Sequence, residues 1–167
     1  MKVQFRKGDI FEVKLDDGRK RYFQFVCRDL EQLNSDVIRV FKKVYLSDES
    51  PLSDMIISDE VDQYVHTSVY AGVKLGFWVK YGKSSNVGNL DVYFRDARDF
   101  GREPEEPLRK KISYQWDVWK INERRFYVGK LPERYYCAYQ GMVEPPFLVA
   151  ECIRNCRPIE GLYDPVF

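Results

Sequence analysis

Apolar and polar side chains alternate along three runs early in the chain, and turn-forming residues separate the runs. In the first, Phe11, Val13 and Leu15 alternate with Glu12 and Lys14. Asp16, Asp17 and Gly18 then reverse the chain into a second run over residues 22–27. Asn34, Ser35 and Asp36 reverse it again into a third over residues 37–41. A two-residue period bounded by turn residues marks half-buried strands, and Asp-Gly tolerates the positive φ of a tight hairpin. The pattern predicts a three-stranded antiparallel meander on which the rest of the chain packs.

Beyond the meander the signals are more mixed. Ser50 and Pro51 match an N-cap and first helical position, so a short helix is expected over residues 52–57. Residues 61–75 fit two periods. Val61, Val65, Val69, Val73 and Leu75 alternate like a strand, while Val61, Tyr64, Val65, Val69 and Val73 also form a helical stripe. The β-branched content tilts the reading toward a strand near residues 62–70, a bend at Gly72 and a further strand near residues 77–81. Residues 82–89 read as a loop, residues 90–94 as a strand, and residues 95–107 as a charged connection. A long strand is predicted over residues 112–121, with Ile112, Tyr114, Trp116 and Val118 on one face. Asn122 and Glu123 turn it into a strand over residues 126–128, and residues 135–139 form another. Pro145 and Pro146 open a C-terminal helix whose buried stripe is Leu148, Val149, Cys152, Ile153 and Cys156.

The fold class that follows is mainly β (α+β): an antiparallel, strongly twisted sheet or an SH3-like partial barrel with a C-terminal helix. With 167 residues the chain is read as a single globular domain, 1–167, able to bury roughly 70% of its unfolded surface without staples. Four cysteines show no scaffold spacing, and no apolar run follows the basic start or reaches membrane-spanning length. The expectation is therefore a cytoplasmic protein with reduced thiols, no signal peptide and no membrane partner. Net charge is +1, which makes nucleic acid an unlikely partner.

Tests for chemistry find little. His66 is the only histidine, so any hydrolytic triad must use it; a hydrogen-bonded structural role is the simpler reading. Cys152 and Cys156 lie one helical turn apart, without the knuckle spacing of a zinc site. Gly76 and Gly82 enclose five residues, one more than a P-loop allows. Asp91, Asp96 and Asp99 could line a site but read as a loop edge. No catalytic residue, cofactor or metal is expected. Tyr135, Tyr136 and Tyr139 near Arg134 and Lys130 could form a stacking platform for single-stranded nucleic acid, but the neutral pI argues against it and core packing explains alternate aromatics without further help.

One charge pattern stands out. No Lys or Arg occurs between Val44 and Val73, while Asp48, Glu49, Asp54, Asp59, Glu60 and Asp62 fall inside that window. Residues 1–43 and 95–134 are basic on balance. A segment of one sign can steer an oppositely charged partner, and these six acids are the candidate partner-binding residues.

The order of Gly8, Asp9, Ile10 and Phe11 with the Asp17-Gly18 turn, then residues 65–69, Gly72, Trp78 and Gly82, then residues 90–95, resembles the immunity protein 26 family of bacterial polymorphic-toxin systems. The resemblance implies a cytoplasmic, non-enzymatic protein that binds and neutralises a cognate protein toxin. It carries no site residues onto this chain. The alternatives are a small β-barrel module recognising nucleic acid through Arg124, Arg125, Lys130 and Arg134, or a small enzyme built on His66. Toxin identity, strand order and oligomeric state stay open.

Overall fold

A computed structural model describes residues 4–103 and 110–165; the first three residues of the basic start and residues 104–107 of the charged connection lie outside them. The predicted meander is present as β1 (Asp9–Lys14), β2 (Lys20–Asp29) and β3 (Ser35–Phe41). It is antiparallel throughout, with Phe11 opposite Phe23 and Phe23 opposite Val40. Gly18 turns the first hairpin at φ 86°. After α1 (Ser53–Ile57), β4 (Val61–Thr67) pairs antiparallel with β3. α2 (Val69–Lys74) leads to β5 (Val79–Lys83), which returns to pair with β1.

The remaining strands are β6 (Tyr93–Ala97), β7 (Lys111–Ser113), β8 (Trp116–Lys120), β9 (Phe126–Gly129), β10 (Tyr139–Gln140) and β11 (Val143–Glu144). α3 (Pro146–Arg154) and β12 (Tyr163–Pro165) follow. Among the described residues the strands form three sheets, ordered β11-β4-β3-β2-β1-β5, β10-β6-β8-β9 and β12-β7. Three short parallel pairings, β4 with β11, β6 with β10 and β7 with β12, make the arrangement mixed rather than wholly antiparallel. The fold is mainly β, with a C-terminal helix and open sheets that do not close into a barrel.

Both faces of the central meander are covered, so its strands are buried on two sides rather than half-buried. On one face Phe11, Val13, Phe23, Ile38, Val40 and Val65 pack against Val69 of α2, Val149, Ala150 and Ile153 of α3, and Trp78. On the other, Ile10, Tyr22 and Phe41 meet Tyr45 and Ile56 of α1, while Val26, Val37 and Tyr64 meet Phe94 and Trp119 of the second sheet. Polar positions of the alternation are consequently trapped inside and must find partners. Gln24 Nε2 donates to the carbonyls of Gly8, Ser84 and Asn86, and its Oε1 accepts from Arg39 Nε at 2.9 Å. Arg21, 1% exposed, donates to the carbonyls of Phe41 and Ile153 and to Asp62, closing the C-terminal end of α3 onto β2.

Several expectations are corrected. The strand near residues 62–70 stops at Thr67, and residues 69–74, including the expected bend at Gly72, are helical. Ser68 caps this helix by accepting from Ala71 N at 3.2 Å, and Asp36 Oδ2 accepts from Val69 N at 3.0 Å; these contacts override the β-branched preference of the valines. The helix at residues 52–57 begins one position later, with Leu52 rather than Ser50 at its N-cap. The long strand over residues 112–121 is broken: Ser113 Oγ accepts from Gln115 N at 3.1 Å and donates to Asp99 at 2.6 Å, bending the chain between β7 and β8. Tyr114 is left exposed while Trp116 and Val118 point inward. Residues 135–139 are not a strand; a single 3-10 turn (Glu133–Tyr135) follows Pro132, and only Tyr139 and Gln140 pair. Cys156 leaves the α3 stripe because it lies past the helix end, exposed and at φ 50°.

Gly72 belongs to α2 for a packing reason: a Cβ there would lie 1.8 Å from Cζ2 of the Trp78 ring, whose Nε1 donates to Val69 O at 3.1 Å. Gly72→Ala gains about 1 kcal/mol of helix propensity but overpacks a ring that is 1% exposed, at about 1–3 kcal/mol. The variant is expected to unfold at lower urea concentration than the parent; an equal or higher midpoint would refute this packing account.

Candidate protein-binding surface

The acidic window is a loop, a short helix and a second loop, clamped to the body by its backbone. Tyr45 and Lys20 exchange backbone hydrogen bonds at 2.8 and 2.9 Å. Lys20 Nζ donates to Glu49 O at 2.5 Å and Tyr81 OH to Pro51 O at 2.8 Å. Ile56 is wholly buried against Tyr22 and Tyr45, and Ser53 sits so close to Gly82 that a Cβ there would lie 2.5 Å from its Oγ. Tyr45 OH donates to Asp59 at 2.6 Å; burial, then this hydrogen bond, raises its phenol well above the ordinary range. A segment so fixed loses little freedom on docking.

The structure gathers the six candidate acids into this one segment but gives them different work. Asp48 and Asp54 are exposed, and neither has a side-chain hydrogen bond or ion pair among the described residues. Glu49 is exposed and folds back to accept from Leu46 N at 2.5 Å. Asp59 is taken by Tyr45, Glu60 by Lys42 and Asp62 by the buried Arg21 at 2.9 Å. The acid excess is therefore offset at residues 59–62, where cations arrive from β2 and the chain following β3, and remains free at Asp48 and Asp54.

Sequence reasoning missed the apolar part of this surface. Leu46, Leu52 and Met55 are 58%, 72% and 49% exposed beside those free carboxylates. The signal was the register of α1, in which Ile56 is buried and Ile57 packs partly against the same cluster, leaving Met55 outward. Three large apolar side chains interleaved in sequence with carboxylates on a clamped segment combine the exposed apolar and charged groups that protein interfaces use.

The other candidates do not converge. His66 is fully buried, with Nε2 3.1 Å from Asp29 Oδ2 and its ring 4.4 Å from that of Phe94. No solvent reaches it. Among the described residues its Nδ1 has no hydrogen-bond partner, and burial lowers its pKa against the opposing pull of Asp29. All four cysteines are free, and burial pushes the Cys27 thiol up to about 11. Among the described residues no group of three or more His, Cys, Asp or Glu side chains is placed to hold a metal. Asp91 pairs with Lys120, Asp99 accepts from Ser113, and burial raises the Asp96 carboxyl. Arg125 donates to Gln32 and lies over Trp119, Arg124 approaches Glu31 at 3.6 Å, and Arg134 covers Tyr135. Tyr135 is core, packed with Trp116 and Leu131, and Tyr139 is wedged against Tyr64, so no tyrosine platform forms.

A histidine held neutral inside the fold makes stability pH-dependent. Its folded pKa lies below the ordinary 6.5, so below about pH 6.5 the unfolded chain binds the extra proton more readily. The His66 contribution is complete above that pH and is lost as pH falls toward the folded value. His66→Asn is expected to flatten the fall in urea midpoint below about pH 6.5; parallel pH profiles for parent and variant would remove the coupling.

Among the described residues no helix is long and apolar enough to cross a membrane. No family model, curated protein or solved structure matches this chain.

Proposed function

We propose that this protein is a stoichiometric binder that docks residues 46–55 on a basic face of another protein, and that this partner is a toxin domain which it neutralises in the cytoplasm of the cell it protects. The observation that carries the reading is the clamped surface of Leu46, Leu52 and Met55 beside the free carboxylates of Asp48 and Asp54. Burying such aliphatic side chains contributes roughly 1.5–3 kcal/mol each when complete, so the apolar centre supplies affinity. The carboxylates supply encounter rate and orientation. The resemblance to the immunity protein 26 family supplies the kind of partner, and a toxin acting on nucleic acid would offer the basic face the acids require.

The test captures the partner from the source cell at a one-to-one ratio with this chain as bait, then co-expresses the two, scored by growth, together with binding kinetics of the purified pair. The parent chain is expected to restore growth. Asp48→Lys with Asp54→Lys should slow association and reduce its dependence on salt. Leu52→Ala with Met55→Ala should weaken binding at least about tenfold, mostly through faster dissociation. Both double variants change exposed side chains, so their urea midpoints should stay near the parent's. Failure of the parent to restore growth refutes the toxin; unchanged kinetics in both variants refutes the surface.

A further inference from the structure

A pocket of about 180 Å³ lies between β4, β10 and the chain that follows α3. Its lining includes Asp62, Tyr64, Tyr139, Gln140, Glu144 and Ile159, and no Lys, Arg or His. The wall is fixed: Gln63 Oε1 accepts from Ile159 N at 2.8 Å, Tyr64 OH donates to Asn89 O at 2.6 Å, and the Tyr64 and Tyr139 rings sit 5.3 Å apart. The space would hold about six waters at ~30 Å³ each, and it is smaller than the ~300 Å³ at which pockets for drug-sized ligands begin.

The two carboxylates in this lining are not equivalent. Asp62 is engaged by Arg21. Glu144 is only 7% exposed, yet its carboxylate has no hydrogen bond or ion pair among the described residues. Its backbone is held instead, by pairing of β11 with β4 and by Thr67 Oγ1 donating to Glu144 O at 2.8 Å. Burial alone raises its carboxyl above the usual range, with no neighbouring charge contributing. A carboxylate largely removed from water without a partner is costly, and the lining around it lacks the counter-ion.

We propose that this pocket binds an organic cation, a guanidinium or alkylammonium group, with Glu144 as its counter-ion and Tyr64 and Tyr139 as its aromatic walls. Carboxylate plus aromatic ring is the pairing that holds such cations, and a planar guanidinium uses it best. A hard divalent ion fits poorly, because it takes six or more oxygen ligands and only one carboxylate here is free. The assignment goes beyond the protein-binding reading and stands without it, since the surface of Leu46, Leu52 and Met55 takes no part.

The test titrates the full chain with n-butylguanidinium, n-butylammonium and the neutral n-butylurea, following backbone amide shifts by NMR at constant ionic strength. Saturable shifts confined to residues 62–65, 138–140 and 144 are expected with both cations, at about millimolar affinity for so few atoms. Glu144→Gln should weaken them at least about tenfold. Tyr139→Leu, which keeps the carboxylate, should weaken guanidinium more than ammonium and serves if Glu144→Gln fails to fold. An N-acetyl-Gly-Arg-Gly-amide arm separates the sources: binding equal to or tighter than the free cation assigns the pocket to an arginine side chain of a polypeptide, and exclusion of the peptide assigns it to a free small cation. Equal binding of n-butylurea, undiminished binding to Glu144→Gln, or no saturable shift with either cation overturns the proposal.

Discussion

Asp29 ties the two main sheets together. It ends β2 with no solvent exposure, and its Oδ1 accepts from the backbone N–H groups of Glu31, Gln32 and Asn122 at 3.2, 3.3 and 3.3 Å. Its Oδ2 takes Nε2 of His66 from β4. Asn122, held at φ 59°, answers by accepting from Leu30 N and donating to Arg28 O. One buried carboxylate thus orders the β2–β3 turn, the β8–β9 turn and the imidazole between them. A carboxylate in such a place is stable only when its lone pairs are met by fixed donors, and the two turns and the imidazole supply them.

The same economy governs His66. With Nε2 facing a carboxylate and Nδ1 facing nothing, a second proton would bury an N–H group without an acceptor. The neutral ring is the form that fits. That is the arrangement of a structural histidine. Buried polarity elsewhere is likewise architectural: Gln24 and Arg39 fasten the loop at residues 84–86 to the meander, and Arg21 fastens α3. Against this background Glu144 is distinct, because it is buried and its carboxylate has no hydrogen bond or ion pair among the described residues, whereas Asp48 and Asp54 are exposed to water.

The meander and the C-terminal helix were legible because their signals are local. A two-residue period with Asp-Gly at φ 86° can pair only one way, and Val149, Cys152 and Ile153 repeat at helical spacing. Residues 61–75 were not legible, since both periods fit. The outcome was decided by Ser68, Asp36 and the Trp78 ring, and Asp36 lies 33 positions from Val69, beyond any local window. The break at Ser113 likewise depends on Asp99, fourteen positions away.

For the surface chemistry the division is the same. Which residues are acidic, and that they cluster between Val44 and Val73, is a property of the sequence alone, as is the rarity of histidine. Tertiary structure decided which of those charges are free. Asp59, Glu60 and Asp62 met Tyr45, Lys42 and Arg21 from other parts of the chain, while Asp48 and Asp54 met none among the described residues. It also exposed Leu46, Leu52 and Met55 and enclosed Glu144, because burial is set by what packs across from a residue, and that neighbour is seldom adjacent in sequence.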